Sequence, residues 1–137
     1  MNVKKFLLAS LVVFIVMQIT DQLVHNLILG NLYEQTSHIW RQDMMSMMWL
    51  MILVSAFFSL LFVYIFIQGY EGGGVVEGLR YGIIIGLFFQ VVGTLNQYII
   101  YPLPFKLVIQ WIIFGLIQFS IVGILTVLIY KPKSKKS

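Results

Sequence analysis

Four long apolar stretches, each the length of a membrane-spanning helix, constrain this 137-residue chain more than any other feature. A hydrocarbon core about 30 Å thick requires about 20 helical residues to cross it. The stretches also lack the alternation of polar and apolar residues that is typical of barrel strands. The sequence therefore predicts one membrane domain, an all-α integral membrane bundle of four transmembrane helices. Their predicted positions are about 6–29, 44–68, 79–100 and 105–130, and a basic tail follows at 131–137.

The composition agrees with a membrane protein and excludes several other classes. Hydrophobic residues make up 60% of the chain and charged residues only 10%, too few to cover the surface of a soluble domain. The absence of cysteine excludes disulfides, thiolate metal sites and cysteine nucleophiles. Much of the net charge of +4 lies in the final "KPKSKKS", which suits anionic lipid headgroups. We therefore expect the lipid bilayer, and no nucleic acid, as a partner.

The distribution of basic residues predicts the orientation of the helices. The opening "MNVKKFLLASLVVFIV" resembles a signal peptide, but no small-residue cleavage site follows it, so an uncleaved first helix is expected. With four spans, both termini lie on one side of the membrane. That side carries seven basic residues, and the other side carries Arg41 and Lys106. The positive-inside rule then places both termini in the cytoplasm.

Glycines recur at helical spacing on the third predicted helix and allow close approach of another backbone. In lipid, such packing replaces the hydrophobic effect as the driving force for helix association. The sequence is compatible both with packing inside one bundle and with a homo-oligomer interface. The third helix carries Gly78, Gly82, Gly86 and Gly93, and the fourth carries Gly115 and Gly123.

The run "EGLRYGIIIG", from Glu77 to Gly86, follows a first helix that ends in a polar patch and a first outer loop that contains Tyr and Trp. In these features the chain resembles small, uncharacterised bacterial membrane proteins with four spans. The resemblance implies a four-helix fold in a bacterial inner membrane, that is, the plasma membrane. It implies no activity.

The polar patch is "QITDQLVHN", residues 18–26, in the second half of the first helix. At about 100° per residue, its polar side chains other than Thr20 form one stripe that must face protein or water. A carboxylate that faces lipid would cost at least about 2.5–3.5 kcal/mol. Polar residues at similar depth on the third and fourth helices suggest an outward-facing polar vestibule. The candidate ligand- or ion-binding residues are Asp21, Gln22, His25, Asn96, Gln97 and Gln110.

Two interpretations of this patch remain open. Amides alone would hold helices in register, so the ionisable pair Asp21 and His25 favours a site that binds or passes a small solute or ion. Alternatively, the protein is a structural or accessory subunit whose patch only packs or docks a partner, with Lys106 opposite Asp21. No cofactor is expected. No enzyme motif is present, and acid–base chemistry by Asp21 and His25 is the only enzymatic alternative.

A third hypothesis concerns copper. "MMSMMWLM" opens the second helix and places four methionines on one helical face. Thioethers select Cu(I), although methionine also fills irregular gaps between helices. The candidate metal ligands are His25, His38, Met44, Met47, Met48 and Met51.

Overall fold

A computed structural model describes residues 1–131, and almost all of this part of the chain is helical. Four helices are long and apolar enough to cross a bilayer, which confirms the prediction of an all-α chain with four such helices. The described residues contain no strand. The predicted basic tail beyond Lys131 lies outside the described residues. The four helices are α1 (Val3–Ile28), α2 (Met44–Gly69), α3 (Gly74–Ile100) and α4 (Phe105–Tyr130).

The first loop, between α1 and α2, folds back onto the bundle. It contains a short helix, Gly30–Gln35, and a 3₁₀ turn, Ser37–Ile39. Leu29 is fully buried, and Thr36 is buried with its hydroxyl donating to the carbonyl of Leu32 at 2.7 Å. The loop therefore covers the end of the bundle instead of lying free at its surface.

Helix α3 begins at Gly74, earlier than the predicted start near Leu79. The turn before it uses two glycines with positive φ, 103° at Gly72 and 63° at Gly74, a conformation that glycine adopts without steric cost. The carboxylate of Glu77 is buried and accepts backbone N–H groups from Glu71 at 2.7 Å and Gly73 at 2.6 Å. These bonds satisfy donors that precede the first helical turn and fix the start of the helix.

Helix α4 packs against both α3 and α1, and α1 packs against α2 as well. A Cβ at Gly78 would lie 2.5 Å from the carbonyl oxygen of Gly123, and one at Gly82 would overlap the carbonyl oxygen of Phe119. Gly78 and Gly82 are thus buried inside one bundle, where the backbones of α3 and α4 touch. A Cβ at Gly93 would meet nothing within 4 Å, so this glycine does not belong to the contact.

Two of the long helices change their hydrogen-bond register midway. Helix α1 is α-helical as far as Asp21 and then forms a π-helical segment, Gln22–Ile28. Helix α3 contains a second π-helical segment, Leu87–Gly93, followed by a last α-helical part. Such π segments are rare and occur frequently at functional sites. Here they lie on the two helices that face each other across a cavity.

Candidate functional site

A cavity of about 540 Å³ lies between α1, α3 and α4, with one wall completed by Phe58 of α2. Its volume is within the range typical of small-molecule sites. Most of its lining residues are apolar, and a few polar side chains converge on it from three helices. These polar residues are Thr20, Asp21, His25, Gln90, Thr94, Gln97 and Gln118.

Asp21 is the charged group of this cavity. Its Oδ1 accepts a hydrogen bond from Nε2 of Gln118 at 2.7 Å, and the same amide donates to the hydroxyl of Thr20 at 2.6 Å. Its second oxygen receives no hydrogen bond from residues 1–131. In this part of the chain, ion pairs join only Arg41 to Asp43 and Arg80 to Glu71. Asp21 is therefore linked to α4 by an amide, without a basic partner such as Lys106.

His25 connects the cavity to the first loop. Its Nδ1 lies 2.6 Å from the hydroxyl of Tyr33, and that hydroxyl accepts a hydrogen bond from Nε1 of Trp111 at 2.6 Å. Because the tyrosine oxygen already accepts from the indole, its own hydrogen is free to donate to Nδ1 of a neutral imidazole. The ring of Trp40 packs against both Tyr33 and Trp111. An aromatic cluster of Tyr33, Trp40 and Trp111 thus lies at the first-loop end of the cavity.

Tyr33 remains a neutral hydroxyl over the physiological pH range. Burial raises its pKa to about 12, and the charge of Asp21 acts in the same direction. The hydrogen bond from Trp111 opposes this rise but is the smaller effect beside burial. The Tyr33 hydroxyl therefore takes part in the contact between loop and bundle as a neutral group over this range.

Three of the six predicted binding residues, Asp21, His25 and Gln97, line the cavity. The structure does not bring Gln22, Asn96 or Gln110 to it. This finding corrects the prediction of one continuous polar stripe on the first helix. Gln22 is exposed and hydrogen-bonded to Asn26. It lies about 100° around the helix from Asp21, and the cavity faces the other side of Asp21, where Thr20 and Val24 line it.

Asn96 and Gln110 occupy other positions. Asn96 is exposed and donates to the carbonyl of Val92 in its own helix at 2.8 Å. Gln110 is partly buried outside the cavity, and its Oε1 has no hydrogen-bond partner among residues 1–131. Neither side chain contributes to the geometry around Asp21.

Four polar lining residues were not among the predicted binding residues: Thr20, Gln90, Thr94 and Gln118. Thr20 was expected to face away from the patch, but the cavity is wide enough to include it. Gln118 is an isolated amide in a long apolar run, and in lipid such a side chain faces protein, which is the signal that identifies it. Gln90 packs flat against Gly115, where a Cβ would overlap its amide.

The candidate copper ligands are dispersed. His38, Met44 and Met51 are exposed, and none of them lines the cavity with His25. Met44–Met47 forms a 3₁₀ turn and Met48 begins the α-helical part of α2, so the four methionines do not follow one regular α-helical face. Within residues 1–131, no three His, Cys, Asp or Glu side chains form a metal-binding group.

No known protein family, curated protein or solved structure matches this chain.

Proposed function

We propose that this chain is a non-enzymatic, multi-pass protein of a bacterial inner membrane that binds or passes a small solute or ion through the cavity at Asp21. One observation carries the proposal. Asp21 belongs to a membrane-length helix, and its carboxylate lines a cavity large enough for a small ligand. One oxygen of this carboxylate has no hydrogen-bond partner within residues 1–131.

The cost of the carboxylate supports a role beyond packing. Even on the more lenient scale, a charged group costs about 2.5–3.5 kcal/mol at the centre of a membrane helix, and this value is an upper bound for Asp21 in the second half of α1. An asparagine at position 21 would accept the same bond from Gln118 at a much smaller desolvation cost. The carboxylate is thus expensive for the helix contact alone, and a ligand that pairs with its free oxygen would offset this cost.

The structural alternative also has an observation in its favour. The Gln118 amide bridges Thr20 and Asp21, and this bridge ties α4 to α1. Interhelical polar contacts in membranes contribute only about 0.6 kcal/mol on average, so one bridge is a weak clamp. It also leaves the cavity and the converging side chains Gln90 and Gln97 without a role.

A solute panel tests the proposal with the protein in mild detergent. Thermal unfolding would be recorded with alkali and ammonium cations, organic amines, amino acids and neutral amides at constant ionic strength. A ligand that binds only the folded state raises the unfolding temperature. We expect at least one class to stabilise the wild type and not Asp21→Asn.

Asp43→Asn is the matched control, because it makes the same change at an exposed loop carboxylate. This variant should respond like the wild type. The proposal fails if no class stabilises the wild type, or if Asp21→Asn responds equally.

A further inference from the structure

We propose that the ligand of this cavity is an organic monocation, a protonated amine or quaternary ammonium with apolar substituents. Asp21 would pair with its charge, and the surrounding aromatic rings would bind its substituents. This inference rests on the proposed function, since it names the ligand class for the same cavity.

The sign of the ligand charge follows from the lining. Asp21 is the only acidic residue among the lining residues, and no lysine or arginine lines the cavity within residues 1–131. The hydrogen bond from Gln118 leaves the charge of Asp21 uncompensated, because an amide is neutral. An anion would meet the carboxylate without a basic partner, whereas a cation supplies the missing counter-charge.

The aromatic lining identifies the rest of the ligand. Three phenylalanine rings contact one another: Phe58, Phe89 and Phe119. The ring centroid of Phe58 lies 5.3 Å from that of Phe89 and 5.6 Å from that of Phe119, and the centroids of Phe89 and Phe119 are 6.0 Å apart. They form one wall, and Phe114 and Trp111 add further rings. Aromatic faces attract cations, and quaternary ammonium groups are the ligands typically recognised by several rings together.

A bare metal ion fits the cavity poorly. Mg²⁺ and Ca²⁺ require about six or more oxygen ligands, supplied largely by carboxylates, carbonyls and waters. The cavity offers one carboxylate, and most of its wall is hydrocarbon. An ammonium with carbon substituents retains little water and makes favourable contact with such a wall.

The rim of the cavity also favours an amphipathic cation. Its lining residues Phe89, Ile117 and Ile121 are 47%, 52% and 40% exposed. They lie within the membrane-length parts of α3 and α4, so the exposed rim is apolar where it meets hydrocarbon. A ligand with an apolar body can reach Asp21 from the bilayer, which a hydrated inorganic ion cannot do.

Calorimetric titration with benzyltrimethylammonium tests this inference. The protein would be reconstituted in zwitterionic lipid, so that the membrane itself does not attract the cation. Neopentylbenzene is the matched neutral probe, because a carbon replaces the charged nitrogen. We expect saturable binding of the cation that Asp21→Asn weakens about tenfold or more.

Phe89→Leu provides a second variant that keeps the carboxylate. It removes one ring from the wall and retains an apolar side chain, so affinity should fall about two- to thirtyfold. Phe88→Leu is its control, because Phe88 is the exposed neighbour and does not line the cavity. This variant should bind like the wild type.

The outcomes separate the inference from the function on which it rests. If a metal cation or a neutral solute binds in an Asp21-dependent manner and benzyltrimethylammonium does not, the ligand class is wrong and the proposed function stands. Equal binding of neopentylbenzene, or equal effects of Phe88→Leu and Phe89→Leu, would also overturn the ligand class. If no solute binds at all, both proposals fall.

Discussion

Asp21 lines the cavity and accepts a single hydrogen bond, from the neutral amide of Gln118, while its other oxygen receives none within residues 1–131. The contact between α1 and α4 and the binding of a ligand therefore place different demands on position 21. The first requires only an acceptor for the Gln118 amide, and the second requires a negative charge. If Asp21 is retained for ligand binding at the expense of stability, removing its charge should stabilise the protein.

We therefore predict that Asp21→Asn is more stable than the wild type in the absence of ligand, with the free energy of unfolding raised by about 1–3 kcal/mol. The asparagine Oδ1 still accepts from Gln118, so the contact between α1 and α4 is retained. Chemical unfolding in mild detergent, followed by circular dichroism, measures the difference. A loss of 1 kcal/mol or more would show that the carboxylate stabilises the bundle, as the structural alternative requires.

From the sequence, residues of the site could be predicted only where a single side chain is unusual in its surroundings. Asp21 and His25 are conspicuous because ionisable groups are rare in apolar helices, and both line the cavity. Gln22 belongs to the same predicted stripe but is exposed, because it lies about 100° around the helix from Asp21 and the cavity faces the side of Thr20 and Val24. Helical spacing predicts which residues share a stripe, but it does not predict which edge of the stripe faces the other helices.

Helices α3 and α4 show how small residues and π segments divide one interface into two parts. Before Gly86, glycines allow the two backbones to touch, as at Gly78 and Gly123. After Gly86, the π segment Leu87–Gly93 begins, and the interface opens into the cavity. The tight half positions the helices, and the wider half leaves room for a ligand.

The two halves predict opposite responses to the same substitution. Gly82→Ala places a methyl group on the backbone of Phe119, which cannot yield as a side chain would, and should cost about 1–3 kcal/mol or more. Gly93→Ala meets no atom within 4 Å and should be neutral or slightly stabilising, because alanine favours helix. Unfolding midpoints of the two variants in detergent provide the measurement. Equal destabilisation would contradict this packing of α3 against α4.

For the bundle as a whole, the apolar length of each segment was sufficient to predict four helices, because the bilayer thickness sets that length almost independently of sequence detail. The position of the cavity depends on which helices become neighbours and where they diverge. The aromatic wall combines Phe58 of α2 with Phe89 of α3 and Phe119 of α4, residues far apart in sequence. No local pattern indicates such a combination, so the wall emerges only from the packed structure.

The orientation of the bundle decides which side of the membrane the Tyr33 cluster faces, and the basic residues predict that the first loop is extracytoplasmic. The chain contains no cysteine, so single cysteines report position without background labelling. Ser46→Cys lies in an exposed turn before the α-helical part of α2, and Glu71→Cys lies in the exposed turn between α2 and α3. In intact bacterial cells, a membrane-impermeant maleimide should label Ser46→Cys and leave Glu71→Cys unmodified until the membrane is permeabilised. Labelling of Glu71→Cys alone in intact cells would reverse the orientation and place the aromatic cluster on the cytoplasmic side, whereas labelling of both would show that the chain does not hold one orientation.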